Sequence, residues 1–353
     1  MNAADKEFLT NLFHAAVDAA DPMKALRPHL PEKPKGRTIV IGAGKGAAQM
    51  AAAFETLWGE PVEGVVVTRY GYACATKNIQ VMEASHPVPD AAGLKATEAL
   101  FSAVADLTTD DLVVALICGG GSALLPAPPE GLTLEDEQSL NQALLTSGAP
   151  ISAMNAIRKQ VSRIKGGRLA QAALPARVVS LVVSDVPGDD PAQVASGPTV
   201  ADETNRKTAM DMIALYGIDL TERLKSFLQE GPEDAPSEAI GTVRIVASAS
   251  ISLADAASLA HDHGIPAVIL SDTIEGEARD IGMMHAAIAR EVSLRNQPFS
   301  KPVVILSGGE TTVAIGSNPG GKGGRNSEFL LSFAGGIEGQ SITALAADTD
   351  GID

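Results

Sequence analysis

The sequence predicts an α/β protein with a doubly wound, mostly parallel, Rossmann-like sheet domain and a second, smaller α/β domain. Short apolar runs of strand length alternate with longer helical segments along most of the 353 residues, the order that produces a parallel sheet covered on both faces. Hydrophobic residues make up 45% of the chain and aromatic residues only 3%, so small aliphatic side chains must pack these layers. The chain exceeds the usual size of a single core, which favours two domains.

The first part of the chain alternates strands and helices regularly. A helix at 4–20 opens the chain and stops near Pro22. Runs rich in Val, Ile and Leu predict strands at 38–41, 64–68, 79–84, 112–118 and 178–184. Longer segments predict helices at 47–58, 91–105, 134–146 and 151–164. After the last strand, residues 184–202 form a long turn-rich segment.

A change of composition separates the two predicted domains. Residues 228–241, LQEGPEDAPSEAIG, are acidic and carry prolines, as surface linkers do. We therefore expect an N-terminal domain at 1–235 and a C-terminal domain at 236–353, with strands at 243–247, 267–270, 303–306 and 342–346 and helices at 250–263 and 276–295. The chain stops in ALAADTDGID, a strand running into an acidic glycine turn, so we expect the C-terminal domain to be incomplete.

Charge and cysteine content argue against several classes of function. The 43 acidic and 27 basic residues give a net charge of −16, which disfavours a nucleic-acid or anionic-membrane partner. The two cysteines, Cys74 and Cys118, provide neither a disulfide framework nor zinc-cluster spacing. The N-terminal segment is an acidic amphipathic helix, and we find neither a signal peptide nor an apolar membrane span in the sequence. The sequence therefore predicts a cytoplasmic protein without a membrane partner.

Glycines end several of the apolar runs, in the segments IVIGAGKG, LVVALICGGGSALL, VVILSGGET and PGGKGGRNSE. A glycine loop at the carboxyl end of a buried strand lets backbone N–H groups approach an anion, because no Cβ intervenes. The start of a following helix adds partial positive charge. These loops predict a site for a phosphorylated ligand, and the residues we expect to contribute are Gly44, Gly119, Gly120, Gly121, Ser122, Gly308 and Gly309.

The GAGKGA segment at 42–47 also fits the loose dinucleotide pattern G-x-G-x-x-A after a strand. That interpretation requires an acidic residue at the end of the second strand to hold a ribose. The strand ends instead in Thr68 and Arg69, although Arg69 suits a 2′-phosphate, so a nicotinamide cofactor stays an alternative. The Walker A pattern G-x-x-x-x-G-K-[ST] is absent from the sequence.

Two basic residues are candidates for contact with an anion. Lys45 lies between glycines after a buried strand, which favours anion binding over a solvated loop lysine. Arg325 lies in KGGRNSE at a predicted helix start, where a guanidinium clamps a carboxylate or phosphoryl group bidentately. A surface pair with Glu328 is the alternative for Arg325. For His86, which follows a strand, a site-facing role and a structural role in the loop are equally open.

The acidic candidates cluster in the 184–202 segment. Asp185, Asp189 and Asp190 follow a strand end, where carboxylates hold Mg²⁺ or accept a substrate hydroxyl proton. Turns in which these acids only accept bonds from backbone N–H groups are the alternative. Asp348 and Asp350 repeat the pattern after another predicted strand.

The motifs and their order resemble the class II glycerate 2-kinase family, many members of which carry the older label hydroxypyruvate reductase. The resemblance covers nearly the whole chain, in the segments IGAGKGAAQMA, GVVVTRYGYA, EASHPVPDAAG, ICGGGSALLPAPPEG, NAIRKQVSRIKGGRLA, VVSDVPGDDPAQVASGPT, LSGGETTVAIG, GKGGRNSEFLL and LAADTDGID. It implies transfer of a phosphoryl group from ATP, with Mg²⁺, to the 2-hydroxyl of D-glycerate, giving 2-phosphoglycerate.

The resemblance also implies roles for individual residues. Lys45 and Arg325 match the basic catalytic positions of the family, and 119–122 match its nucleotide-phosphate loop. Asp189 is expected as the base or, with Asp185 and Asp190, as a metal ligand. The implied site is a cleft with GGGS on one wall and KGGR on the other, and its partner is D-glycerate or a related hydroxy acid. An NAD(P)H-dependent hydroxypyruvate reductase is the alternative function, a sugar-acid sensor is a third, and a homodimer is left open.

Overall fold

The computed structural model describes residues 3–201, 203–230, 240–314 and 323–349. The chain divides into two compact units: a large unit, Pro22–Val246, and a small unit made of Met1–Asp21 and Ala247–Asp353. The predicted boundary between residues 235 and 236 lies outside the described residues. The units divide the chain at other positions, since the first helix, α1 (Ala3–Ala19), belongs to the small unit.

Six strands of the described residues form the sheet of the large unit, in the spatial order β3-β2-β1-β4-β5-β6. They are β1 (Thr38–Ala43), β2 (Glu63–Arg69), β3 (Gln80–Ala84), β4 (Leu112–Cys118), β5 (Arg177–Val183) and β6 (Thr242–Ala247). The first five pair in parallel, and helices cover both faces, so the predicted fold class is confirmed. This spatial order is that of dinucleotide-binding folds.

The burial of the central strands explains why their sequences are continuously apolar. Every residue of β1 and β4 is buried, as a strand covered on both faces requires. Side chains alternate between two cores: Ile39 and Ile41 pack in one, and Val40 packs in the other. The strand order reverses between β1 and β4, so their carboxyl ends form the topological switch point at which α/β folds bind ligands.

The helices of the large unit are α2 (Pro22–Leu26), α3 (Ala47–Trp58), α4 (Ala91–Ala103), α5 (Gly121–Leu124), α6 (Leu134–Thr146), α7 (Ile151–Gln160), α8 (Arg168–Ala172), α9 (Arg206–Leu215) and α10 (Glu222–Glu230). Local chemistry sets several of their starts. Thr133 and Asp136 form a reciprocal capping box at α6, and the Asp90 side chain caps α4 by accepting a bond from Gly93 N–H. Helices α6, α7, α9 and α10 share a separate core.

The small unit contains α1, α11 (Ala249–Asp262), β7 (Ala267–Glu277), α12 (Ala278–Arg295), β8 (Val304–Thr312) and α13 (Arg325–Gly336). Strands β7 and β8 pair in parallel, with a register shift near Ser271. The strand predicted at 342–346 is wrong, because residues 341–348 take no regular structure and join no backbone ladder. Among the described residues, no helix combines the length and the apolar character that crossing a membrane would require.

Candidate active site

The loop after β4 lies between the carboxylate of Asp185 and the basic side chains of Lys45 and His86. An ideal Cβ built on Gly119 would lie 1.8 Å from Oδ2 of Asp185. On Gly120, which has φ 78°, it would lie 2.9 Å from Cγ of Lys45 and 3.2 Å from Nε2 of His86. A side chain at Gly119 would therefore displace the Asp185 carboxylate, and one at Gly120 would crowd Lys45 and require a left-handed backbone. The two consecutive glycines bring a carboxylate close to one side of the loop and an amine with an imidazole close to the other.

The helix that follows this loop is a single turn. Helix α5 covers only Gly121–Leu124 and begins after the left-handed Gly120. A single turn contributes little macrodipole, so the loop relies on individual N–H groups rather than on a helix end. Amides of a first helical turn have no acceptor within the helix, and they remain donors for a ligand.

Lys45 is fixed by the two strands that flank β1. Its N–H donates to Gly119 O at 2.9 Å, and its carbonyl accepts from Thr68 Oγ1 at 3.0 Å. The next residue, Gly46, donates its N–H to Cys118 Sγ at 3.2 Å. Lys45 lies in the loop before α3 rather than in the first turn of that helix, and its side chain is exposed. The backbone is therefore held while the stem of the Lys45 side chain passes Gly120.

Two further basic side chains lie at the neighbouring strand ends. The guanidinium of Arg69, the last residue of β2, lies 3.6 Å from the ring centroid of Tyr72. His86 follows β3 and is partly buried. Burial lowers the pKa of His86 below its usual 6.5, and the positive charges of Lys45 and Arg69 lower it further. The His86 imidazole is therefore neutral at pH 7.

The three acids of the 184–202 segment do not gather into one metal site. Asp185 lies against Gly119. Burial of the Cys118 thiol raises its pKa to about 12, and the negative charge of Asp185 contributes to this rise. The Asp190 carboxylate accepts bonds from Ala192 N–H at 3.0 Å and from the Gln193 amide at 3.2 Å, so it holds its own turn.

Asp189 follows the left-handed Gly188 and is itself left-handed, with φ 54°. Within the described ranges, no three His, Cys, Asp or Glu side chains converge as metal ligands would. A magnesium ion bound with a nucleotide needs only one or two carboxylates besides the phosphates. Of the three acids, Asp185 is the one whose carboxylate lies against the loop after β4.

A hydrogen-bonded chain behind the loop was not apparent from the sequence. The hydroxyl of Ser122 lies 2.8 Å from that of Ser196, which donates to Asn155 Oδ1 at 2.9 Å. Arg158 donates to Asn155 Oδ1 at 3.2 Å and to Asn141 Oδ1 at 2.8 Å. Ser196 is fully buried, and burial lowers the pKa of Arg158 to about 10. This chain fixes the Ser122 side chain.

A buried ion pair supports the same region. The Lys165 ammonium, 1% exposed, donates to Glu137 Oε1 at 2.9 Å and to Leu125 O at 2.8 Å. A cavity of about 20 Å³ lies beside Lys165, Arg158 and Ser122 and has room for roughly one water. A larger depression of about 490 Å³ lies at the amino ends of β1, β2 and β3. Ligands of parallel sheets bind at the opposite edge, so the larger depression is not the active-site candidate.

In the small unit, Arg325 is held between two carboxylates. It opens α13, and it donates to Glu310 Oε1 at 2.7 Å and to Asp348 Oδ2 at 3.2 Å. The alternative partner, Glu328, pairs instead with Arg279 at 3.0 Å. The carboxylates of Glu310 and Asp348 therefore fix the orientation of the Arg325 guanidinium. Residues 319–322 of the PGGKGGRNSE segment, among them Lys322 of KGGR, and Asp350 lie outside the described residues.

The glycine loop expected at Gly308 and Gly309 is corrected by the structure. Both residues lie inside β8, which continues to Thr312. Gly309 has φ 145°, and a Cβ there would lie 2.1 Å from Ile274 O on β7. The close approach of two strands accounts for Gly309, and both residues lie within a strand rather than in a loop after it; a contact of either with a cofactor stays a prediction.

Comparison with known proteins gives consistent matches. The chain matches the model of DUF4147, described as a domain of unknown function, over 8–229, and that of the MOFRL family over 303–353. It is 38% identical to a D-glycerate 2-kinase of Thermotoga maritima, covering 99% of this chain and 83% of the relative. It is 52% identical to a putative hydroxypyruvate reductase of Agrobacterium vitis, covering 99% and 80%. The crystal structure of a glycerate kinase from Thermotoga maritima matches with a TM-score of 0.86 at 36% identity, covering 96% of this chain and 81% of that one.

Proposed function

Because this chain belongs to the class II glycerate 2-kinase family, we propose that it transfers the γ-phosphoryl group of ATP to the 2-hydroxyl of D-glycerate. The products are 2-phosphoglycerate and ADP. The observation that carries the proposal is the loop after β4, where Lys45 approaches Gly120 and Asp185 approaches Gly119 at the switch point of the sheet. A cation and a carboxylate on either side of a phosphate loop are what phosphoryl transfer requires.

The large unit supplies the groups that hold the nucleotide. Backbone N–H groups of 119–122 bind the phosphates, and Lys45 contacts the transferring γ-phosphoryl group. Asp185 would hold Mg²⁺ together with the phosphates, and the ion would supply positive charge that neutralises the phosphate oxygens. Because Ser196 donates to Asn155, the Ser122 hydroxyl donates to Ser196, and its oxygen is left as an acceptor whose position is set before the nucleotide arrives.

The reaction itself needs one proton acceptor. The 2-hydroxyl oxygen forms a bond to the γ-phosphorus, the bond from phosphorus to the bridging oxygen breaks, and ADP leaves. The proton of the hydroxyl passes to a base, for which Asp189 is the proposed residue. Its place four residues after Asp185, in the loop that follows β5, supports this assignment.

Arg325 is the proposed basic residue of the small unit. Its guanidinium binds either the glycerate carboxylate or the transferring phosphoryl group. The contacts with Glu310 and Asp348 support this role, because they fix the plane of the fork in advance.

The test is a kinase assay with purified protein, D-glycerate and MgATP. We expect Lys45→Met and Arg325→Gln to lower turnover at least about 100-fold, while circular dichroism shows an intact fold. The matched controls are Lys95→Met on α4 and Arg295→Gln on α12, two exposed positions outside the site. Near-normal turnover in either site variant would reject its role.

The reductase alternative rests on the G-x-G-x-x-A pattern and on the names of the Agrobacterium vitis relatives. A second assay with hydroxypyruvate and NAD(P)H distinguishes the two activities. ADP release without a change in nicotinamide absorbance decides for the kinase, and the converse result decides for the reductase. Binding of D-glycerate without turnover in either assay would indicate a sensor.

A further inference from the structure

We infer that Arg69 and His86 join Lys45 in one oxyanion subsite, and that this subsite binds the carboxylate of the hydroxy acid acceptor. The inference rests on the proposed function and adds the position of its second substrate. It assigns the acceptor to the β2 and β3 side of Lys45 and the nucleotide to the β4 side. Arg325, for which two roles were open, is then left with the transferring phosphoryl group.

The register of the sheet brings the three basic residues together. Ala43 of β1 pairs with Val67 of β2, so Lys45 and Arg69 each lie two residues beyond the same pair. Arg69 in turn pairs with Ala84 of β3, two residues before His86. Adjacent strands are about 4.8 Å apart. Three consecutive strand ends therefore each present one basic side chain at the same edge.

The charge of this cluster is not neutralised by nearby acids. Within the described ranges, neither Lys45 nor Arg69 has a carboxylate at ion-pair distance. Glu83, the acid of β3, accepts bonds from Gly71 N–H at 2.7 Å and from Ala73 N–H at 3.4 Å instead. The Asp90 carboxylate caps α4 and accepts from the Tyr70 hydroxyl at 2.7 Å. A cationic corner whose neighbouring acids are engaged elsewhere is suited to an anionic ligand.

The chemistry of the two added residues favours a carboxylate with a neighbouring hydroxyl. The face of the Arg69 guanidinium stacks on the Tyr72 ring. The N–H groups along the edge of the guanidinium point away from the ring and can donate hydrogen bonds. The buried Nε of Arg69 has no hydrogen-bond partner in the described structure. The lowered pKa of His86 keeps its ring neutral, and a neutral imidazole both donates and accepts hydrogen bonds. A 2-hydroxy acid presents both groups on adjacent carbons.

The phosphates of the nucleotide are the other source of an oxyanion. They have their own donors in the 119–122 loop after β4, on the opposite side of β1 from Arg69. Lys45 and His86 both adjoin this loop at Gly120, and the backbone of Lys45 is bonded to Gly119 after β4 and to Thr68 of β2. This order of donors places the carboxylate, rather than a further phosphate, beside Arg69.

The test separates the Michaelis constants of the two substrates. Arg69→Gln and His86→Ala are expected to raise the KM for D-glycerate about 10- to 100-fold and to leave the KM for MgATP within about twofold. Arg69→Lys keeps the positive charge but lacks the planar guanidinium. Its KM for D-glycerate should therefore lie between those of wild type and Arg69→Gln. Arg163→Gln is the matched control, because Arg163 also approaches an aromatic ring, that of Phe101, but pairs with Glu98 outside the site.

An equal rise in both Michaelis constants would overturn the assignment, because the subsite would then bind phosphate. An unchanged KM for D-glycerate in Arg69→Gln would overturn it as well. If the wild-type protein phosphorylates no hydroxy acid, the proposed function fails, and calorimetric binding of D-glycerate becomes the test. Weaker binding in Arg69→Gln than in wild type and Arg163→Gln supports the subsite. Equal binding, or no binding to wild type, refutes it.

Discussion

A single methyl group at Gly119 is expected to disable the site without unfolding the protein. In Gly119→Ala the new Cβ would lie 1.8 Å from Oδ2 and 2.3 Å from Cγ of Asp185. Non-bonded atoms require about 3.5 Å, so the nearer carboxylate oxygen must retreat by about 1.7 Å. Gly119, unlike Gly120, does not have a positive φ, so alanine meets no backbone strain at this position.

The expected magnitudes follow from what has to move. Asp185 is an exposed side chain that can rotate toward solvent, so the free energy of unfolding should change by no more than about 1 kcal/mol. A catalytic group displaced by about 1 Å costs on the order of 100-fold in rate. We therefore expect turnover to fall about 100-fold and the Mg²⁺ concentration for half-maximal rate to rise.

The assay compares turnover, Mg²⁺ dependence and urea denaturation for Gly119→Ala, Asp185→Asn and the double variant. Gly335→Ala on α13 is the control, because a Cβ there meets no atom within 4 Å. If the methyl group acts through Asp185, the turnover of the double variant should be no lower than that of Asp185→Asn alone. Wild-type turnover in Gly119→Ala, or strictly additive losses, would refute the proposed position of the metal.

Two further predictions concern stability. Ser196→Ala removes a buried hydroxyl shared by Ser122 and Asn155 and should lower the free energy of unfolding by about 1–3 kcal/mol; an unchanged urea midpoint would contradict this. The pKa of His86 is lowered in the folded protein, so the unfolded chain takes up the proton first as pH falls below 6.5. Wild-type stability should therefore fall from about pH 6.5 downward relative to His86→Gln; parallel urea midpoints between about pH 5 and 8 would show that His86 contributes nothing.

The elements that sequence analysis predicted best carry strong local signals. Helix α3 and strand β4 have the bounds expected for them, and so does α6, whose start is marked by the Thr133 capping box. Helices α9 and α10 were not predicted, because their buried residues face one shared helical core rather than the sheet. Helix α7 ends at Gln160, four residues early, where the chain turns to bury Lys165.

The site was predicted less completely, since its residues meet only through the topology. Gly119, Gly120 and Lys45 were expected near a phosphate from their loops alone. That Asp185 approaches Gly119 depends on the pairing of β4 with β5, which no local pattern encodes. The glycines of β8 show the opposite error, because a residue that usually interrupts a strand here permits the close approach of two strands.

The large unit shows why strand order alone does not decide between a nicotinamide cofactor and a nucleoside triphosphate. Its sheet has the order of dinucleotide-binding folds, and GAGKGA follows β1 as their phosphate turn does. The position that would hold the ribose, however, carries Arg69, stacked on Tyr72, and the turn itself carries Lys45. Cationic groups at both positions favour oxyanions over a free ribose 2′-hydroxyl, which disfavours NAD, although Arg69 alone would still suit the 2′-phosphate of NADP. If Asp185 holds a metal ion across the loop, as proposed, the same topology is suited to transfer of a phosphoryl group rather than a hydride.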